Sequence, residues 1–170
     1  MIRVKYILLA CIFVCCNILP TAALAAGTEP ALADGVYKIT SGDELLWFAS
    51  AINGGRTGID GVLENDIALS GAWTPIGTSS YKYAGRFDGS GYEISGMSDS
   101  SSSGTYHGLF GYIASAGQVK NVSVSGTINT TDGSGYVGGI AGYNQGTISG
   151  CTTNVLVSGK QYIGGTTGYN

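Results

Sequence analysis

The chain has 170 residues, carries 8 basic against 11 acidic side chains for a formal charge of −3, and contains one histidine. No basic patch, run or tail occurs, which excludes nucleic-acid binding driven by phosphate neutralisation, and one histidine excludes a zinc site built on two or more. All 29 glycines follow Ala26, so about one residue in five of 27–170 is glycine against roughly 7% in ordinary proteins; there is no three-residue collagen period, and enough Val, Ile, Leu, Tyr and Phe remain for a core, which excludes a disordered linker.

Residues 1–26 have the form of a secretory signal. Arg3 and Lys5 give a positive start, an apolar stretch follows, Pro20 ends it, and Ala23-Leu24-Ala25 supplies a small-x-small cleavage site. The apolar run is shorter than the ~20 residues of a bilayer span, and no later segment reaches that length, so no membrane span is expected after residue 26. Leu8-Leu9-Ala10-Cys11 has the order of a lipobox, but cleavage before Cys11 leaves almost no hydrophobic region ahead of the cut. The expected location is therefore secreted or at the cell surface. Loss of 1–26 removes Cys11, Cys15 and Cys16 and leaves Cys151, so stability must come from packing and hydrogen bonds and not from an internal disulfide. Cys151 is expected as a small buried hydrophobe.

Residues 27–35 form an exposed lead-in and 36–40 a first strand. Ser41-Gly42-Asp43-Glu44 is a capping box, Leu45, Phe48, Ala49 and Ile52 recur at helical spacing, and Asn53-Gly54 closes the segment. A lone amphipathic helix ahead of repeated strands is expected to cover the open end of the first coil; packing on the side of the coil is the alternative. From Gly61 the chain turns to short β-rich runs cut by glycine: 62–69, 73–77, 86–89 and 92–96. Runs this short fit the sides of a parallel β-helix better than a sandwich. Residues 98–104 are a serine-rich surface loop. Residues 36–105 thus supply strand, helix and leading coils, and 106–170 the repeats.

In the repeats, Gly108-Leu109-Phe110-Gly111-Tyr112 is answered by Gly139-Ile140-Ala141-Gly142-Tyr143 and by Gly165-Thr166-Thr167-Gly168-Tyr169. The first spacing exceeds the second because the loop 129–134 is longer than its counterpart at Lys160. Asn121-Val122-Ser123-Val124-Ser125-Gly126 also returns further along the chain as Asn154-Val155-Leu156-Val157-Ser158-Gly159. Periods of this length mark a solenoid whose units bury their apolar faces on one another. The fold class is all-β, a right-handed parallel β-helix with one short N-terminal capping helix. Val119, Val122, Val124 and Ile128 should lie under Ile148, Cys151, Val155 and Val157 at about 4.8 Å, with Val122 and Val155 as ladder partners. Tyr112, Tyr143 and Tyr169 should form an aligned row, for which stacking is preferred over a sugar-binding platform.

These blocks resemble the GLUG-motif repeat proteins, named for a Gly-Leu-hydrophobic-Gly element that Gly108-Leu109-Phe110-Gly111 matches as it stands. Val137-Gly138-Gly139-Ile140-Ala141-Gly142 and Ile163-Gly164-Gly165-Thr166-Thr167-Gly168 match with substitutions, and Asn65-Asp66-Ile67, Trp73-Thr74-Pro75-Ile76-Gly77 and Phe87-Asp88-Gly89 are similar to the segment that leads into such repeats. The resemblance covers about 37–170. It implies a β-helical extracellular module of an adhesin-like or wall-associated bacterial protein and brings no catalytic residues. The chain stops at Gly168-Tyr169-Asn170, partway through a repeat and without a capping segment, which predicts the N-terminal piece of a longer protein.

Chemistry-bearing motifs are sparse. Gly133-Ser134-Gly135-Tyr136-Val137-Gly138 satisfies G-x-G-x-x-G without the βαβ unit that gives it meaning. His107 precedes a repeat glycine, which predicts a solvent-exposed ring, and a Ser-His-Asp triad is excluded unless His107 serves. Calcium loops are absent by spacing; no metal or cofactor is expected. Asn121-Val122-Ser123 and Asn129-Thr130-Thr131 are sequons that matter only in a glycosylating host. The rival to a structural or adhesive role is a polysaccharide lyase or glycoside hydrolase using Asp66 and Asp88, with Arg86 nearby, because such reactions need clustered carboxylates. Asp88-Gly89 and Asp132-Gly133 are equally ordinary turns. The expected function is a stiff arm presenting 98–104 and 129–134 to a host or matrix protein, a glycan or a cell-wall polysaccharide.

Overall fold

A computed structural model describes residues 27–100, 104–130 and 135–170. The signal segment, Asp132-Gly133 and part of each predicted loop lie outside the described residues.

The lead-in contains a strand. Strand β1 (Ala31–Ala33) pairs antiparallel with β2 (Val36–Ile39), and the two residues between them, Asp34 and Gly35, both take positive φ, 53° and 79°. Asp-Gly in that conformation is the type I′ turn whose twist matches a hairpin, so the dipeptide, and not the featureless composition around it, decided the local structure. Helix α1 (Gly42–Asn53) follows as expected. The Ser41 hydroxyl accepts from Glu44 N at 3.3 Å, and the Glu44 carboxylate reaches back to Thr40 N at 2.6 Å and Thr40 Oγ1 at 2.8 Å. These bonds satisfy donors that the first helical turn leaves open.

Four coils rise from this base. The first holds β3 (Asp60–Leu63) and β4 (Ile67–Ala68), and continues irregularly through single parallel bridges at Ile76 and Tyr83. The second holds β5 (Arg86–Asp88), β6 (Glu93–Asp99), β7 (Tyr106–His107) and β8 (Phe110–Ile113). The third holds β9 (Gln118–Lys120), β10 (Ser123–Asn129), β11 (Tyr136–Gly138) and β12 (Ala141–Asn144). The fourth repeats the pattern with β13 (Thr147–Ser149), β14 (Thr152–Ser158), β15 (Ile163–Gly164) and β16 (Thr167–Tyr169). Equivalent strands pair in parallel and form the sheets β1-β2-β3-β5-β9-β13, β14-β10-β6-β4, β15-β11-β7 and β16-β12-β8. Among the described residues the fold is a parallel β-solenoid of about four turns with one short helix.

The glycine-framed blocks set the register of the last sheet: Phe110, Ala141 and Thr167 align, as do Tyr112, Tyr143 and Tyr169. The twin hexapeptides do not align. Strand β10 meets β14 in a shorter register than the hexapeptides would give, so Val124 faces Thr153, Gly126 faces Val155 and Ile128 faces Val157; Val122 and Val155 are not ladder partners. The corner explains the difference. Asn121 (φ 55°) and Gly150 (φ 61°) turn the chain in the same left-handed conformation, and their separation along the chain equals that of the ladder partners Ser123 and Thr152. A corner that few residue types can occupy fixes the coil, whereas a Val-x-Val string is tolerated at any position of matching parity.

The interior is a single apolar column. Phe87 lies 5.4 Å from Phe110 and 5.9 Å from Phe48 of the helix, and Tyr83 lies 5.1 Å from Phe110 and 6.2 Å from Phe48. Leu45, Phe48, Ala49 and Ile52 are buried in that column. Asn53 ties the last turn of α1 to the first coil, donating to Pro75 O at 3.0 Å and accepting from Gly77 N at 2.8 Å. The helix therefore covers the mouth of the first coil. At the other end, Ile148, Cys151, Val155 and Val157 pack on the core but are only half-buried. Trp73, in the irregular stretch, is buried and donates its indole N–H to Gly108 O at 3.1 Å. Among the described residues no buried side-chain nitrogen or oxygen lacks a hydrogen-bond partner.

Candidate interaction face

Three connections leave the solenoid at one corner. The connections 100–105, 130–135 and 159–162 join β6 to β7, β10 to β11 and β14 to β15, and because those strands are in register the connections leave the same corner of successive coils. The first two correspond to the predicted presenting loops 98–104 and 129–134, with two corrections: Ser98 and Asp99 belong to β6, where Asp99 points inward, and Asn129 belongs to β10.

Asp99 is buried against His107. The carboxylate Oδ2 lies 2.9 Å from Nδ1 of the imidazole, and the other ring nitrogen lies 3.3 Å from Gly104 O. His107 is 3% exposed, which overturns the expected solvent exposure. Position β7, one residue before the repeat glycine, faces the interior because it pairs with the inward-facing Val137 of the next coil. Both ring nitrogens face acceptors, so the imidazolium satisfies both as a donor. The hydrogen bond that the His107 ring donates to Asp99 is the main reason its pKa is raised; burial works against it. A ring engaged at both nitrogens serves to hold the root of the 100–105 loop, and no free nitrogen remains to act as a base.

Each loop leads into a tyrosine. Tyr106, Tyr136 and Tyr162 stack in one row, with ring centroids 5.5 and 4.6 Å apart and planes within 12° and 19°. Tyr112, Tyr143 and Tyr169 form the expected second row at 4.6 and 4.7 Å, within 28° and 14°. The rows meet edge to face, as between Tyr136 and Tyr143 at 5.2 Å and 85°. Stacked and T-shaped pairs are the two arrangements the ring quadrupole favours, and this array uses both. The Lys82 ammonium lies 4.4 Å from the Tyr112 centroid, a cation–π contact at the foot of the second row. Burial, with a smaller contribution from neighbouring phenols, pushes the Tyr136 and Tyr143 hydroxyls up from their ordinary value. Neighbouring rings as close as 4.6 Å occupy one another's faces. A sugar needs such a face, so the interior of the row supports the stacking role over the platform. The first row went unforeseen, although Tyr106-His107-Gly108, Tyr136-Val137-Gly138 and Tyr162-Ile163-Gly164 repeat in the sequence.

The acids singled out for catalysis hold backbone and neighbouring coils. Asp66 Oδ1 accepts from Glu93 N at 2.9 Å, as Asp60, which is not one of those candidates, accepts from Arg86 N at 2.7 Å. Asp88 pairs with Lys120 at 2.9 Å and accepts from Ser90 N at 2.9 Å and Asn121 Nδ2 at 3.2 Å. Burial would raise the Asp88 carboxyl, but these hydrogen bonds together outweigh it and hold its pKa below the ordinary value. Arg86 and Asp88 line one shallow groove with Lys38, Asp60 and Lys120; Asp66 is not part of it. Among the described residues no three His, Cys, Asp or Glu side chains converge as a metal site would require, and no helix is long and apolar enough to cross a membrane. Cys151 packs half-buried with Sγ 3.4 Å from Ser149 O, and burial pushes its thiol pKa up.

Fold and face together define a glycine-rich β-solenoid repeat protein. The chain is similar to a protein of Evansella cellulosilytica described as "Putative Gly-rich membrane protein", 36% identical over 84 residues that make up 49% of this chain and 10% of that protein. The match thus spans about a tenth of the relative's length. No family profile matches the chain, and no solved structure matches it.

Proposed function

We propose that this chain is a structural and adhesive module of a secreted or surface-anchored bacterial protein of the GLUG-motif kind, exported by the signal in 1–26, and that it presents the corner loops 100–105, 130–135 and 159–162 to a partner. The observation that carries this reading is that the strands flanking three connections of differing sequence stack in register, so the three connections leave one corner of successive coils. Rigid scaffolds that vary only in their loops are built for recognition. A relative described as a membrane protein is compatible with a place at the cell surface. The reading is non-catalytic, because Asp66 and Asp88 each serve a neighbouring coil.

The test is a screen of the immobilised chain against host matrix proteins, glycans and cell-wall polysaccharides, run beside a polysaccharide cleavage assay. Binding that Lys160→Ala and Gln161→Ala weaken at least tenfold, with unchanged melting, supports the proposal. Turnover that disappears in Asp66→Asn or Asp88→Asn reverses it in favour of the enzyme.

A further inference from the structure

The six tyrosines of the two rows form one continuous π-contact network across the second, third and fourth coils. We propose that this array is a site of oxidative cross-linking, at which a one-electron oxidant of the peroxidase–peroxide class joins stacked tyrosines of successive coils through a carbon–carbon bond. Each ring of a pair gives up its phenolic hydrogen, as one electron and one proton, to the oxidant, and hydrogen peroxide is reduced to two waters. The two phenoxyl radicals couple at their ortho carbons. The displaced ring hydrogens move to the oxygens and restore both phenols, so the protein loses two hydrogens in all.

Three features of the geometry favour this chemistry. Radical coupling requires two phenols in contact, and Tyr143–Tyr169 and Tyr136–Tyr162 are held at 4.7 and 4.6 Å. In the described chain the upper member of each pair is open to a bulky oxidant, Tyr162 being 55% and Tyr169 45% exposed. Edge-to-face contacts such as Tyr162–Tyr169 and Tyr136–Tyr169 connect the rows, so a radical formed at an exposed ring has partners on several sides. The resulting bond would bridge equivalent positions of adjacent repeats and fasten the fourth coil to the third without cysteine. The molecule holds its own controls: Tyr81 and Tyr92 are 44% and 37% exposed and belong to neither row.

The experiment is treatment of the full chain with a peroxidase and limiting hydrogen peroxide, followed by dityrosine fluorescence and mass mapping of cross-linked peptides. The expected result is an intramolecular product, independent of protein concentration, in which Tyr143–Tyr169 and Tyr136–Tyr162 links exceed any involving Tyr81 or Tyr92 by at least tenfold. Tyr169→Phe keeps a stacked ring but no phenol, and should abolish the Tyr143–Tyr169 link while sparing Tyr136–Tyr162 and the circular dichroism spectrum. Links through Tyr81 or Tyr92 in comparable yield, products that grow with concentration, or oxidation without dityrosine would each overturn the proposal.

Discussion

Replacing Phe87 with alanine removes the side chain on which the cap and the coils both depend. Phe87 is fully buried and touches Phe48 of α1 on one side and Phe110 of β8 on the other. Truncating a buried phenylalanine costs about 3–5 kcal/mol, since lost transfer energy and the residual cavity add, and the two ring contacts account for roughly 1–3 kcal/mol of that. For a domain of this size each kcal/mol moves the melting temperature by about 3 °C, so Phe87→Ala should melt about 10–15 °C below the parent. Tyr92→Ala, at an exposed ring outside both rows, should stay within about 0.5 kcal/mol of it. The assay is a far-UV circular dichroism melt, with near-UV signal from Trp47 and Trp73 reporting the cap and the first coil. A Phe87→Ala chain that melts within about 2 °C of the parent, where the expected loss is several times larger, would refute the packing described.

Other substitutions follow from the same geometry. A methyl group added at Gly142 would lie 2.7 Å from both His107 N and Tyr136 O, so Gly142→Ala should cost about 1–3 kcal/mol in chemical denaturation. Because the folded pKa of His107 is raised, its pairing with Asp99 stabilises fully below the unfolded value of about 6.5 and is lost as pH rises through the folded value; Asp99→Asn should flatten that part of the stability–pH curve. Asp88 has the opposite sign: its depressed pKa gives stability present above the unfolded value and lost as pH falls through the folded one. The pair with Lys120 is partly exposed, so Asp88→Asn should cost less than about 1 kcal/mol by urea titration at neutral pH.

Legibility in the sequence followed steric demand. The Gly-x-x-Gly-Tyr blocks gave the right register because the glycine before each tyrosine is obligatory: Gly111, Gly142 and Gly168 each face neighbouring backbone with no room for a side chain. The capping box and the 45, 48, 49, 52 stripe were equally explicit, since each residue type has one efficient use at a helix start or on a buried face. The hexapeptide misled because its valines satisfy parity and not position, and the deciding residues, Asn121 and Gly150, share conformation without sharing identity. His107 was misread for want of a visible partner: Asp99 lies on the far side of a loop, and only folding brings the two to 2.9 Å. The carboxylate of Asp66 looked like chemistry because pairing with a main-chain amide of the next coil leaves no mark in composition.

The stacking register itself is open to a direct chemical measurement. Ser123 and Thr152 are Cα partners whose hydroxyl oxygens lie 2.7 Å apart, whereas alignment of the twin hexapeptides would instead bring Ser123 to Leu156. In a Cys151→Ser background, the Ser123→Cys/Thr152→Cys chain should form an internal disulfide on mild oxidation, since neighbouring strands place Cα atoms within the roughly 4.4–6.8 Å that the bond requires, and the Ser123→Cys/Leu156→Cys chain should retain two free thiols. Closure of the second pair with the first left reduced would contradict the solenoid as described.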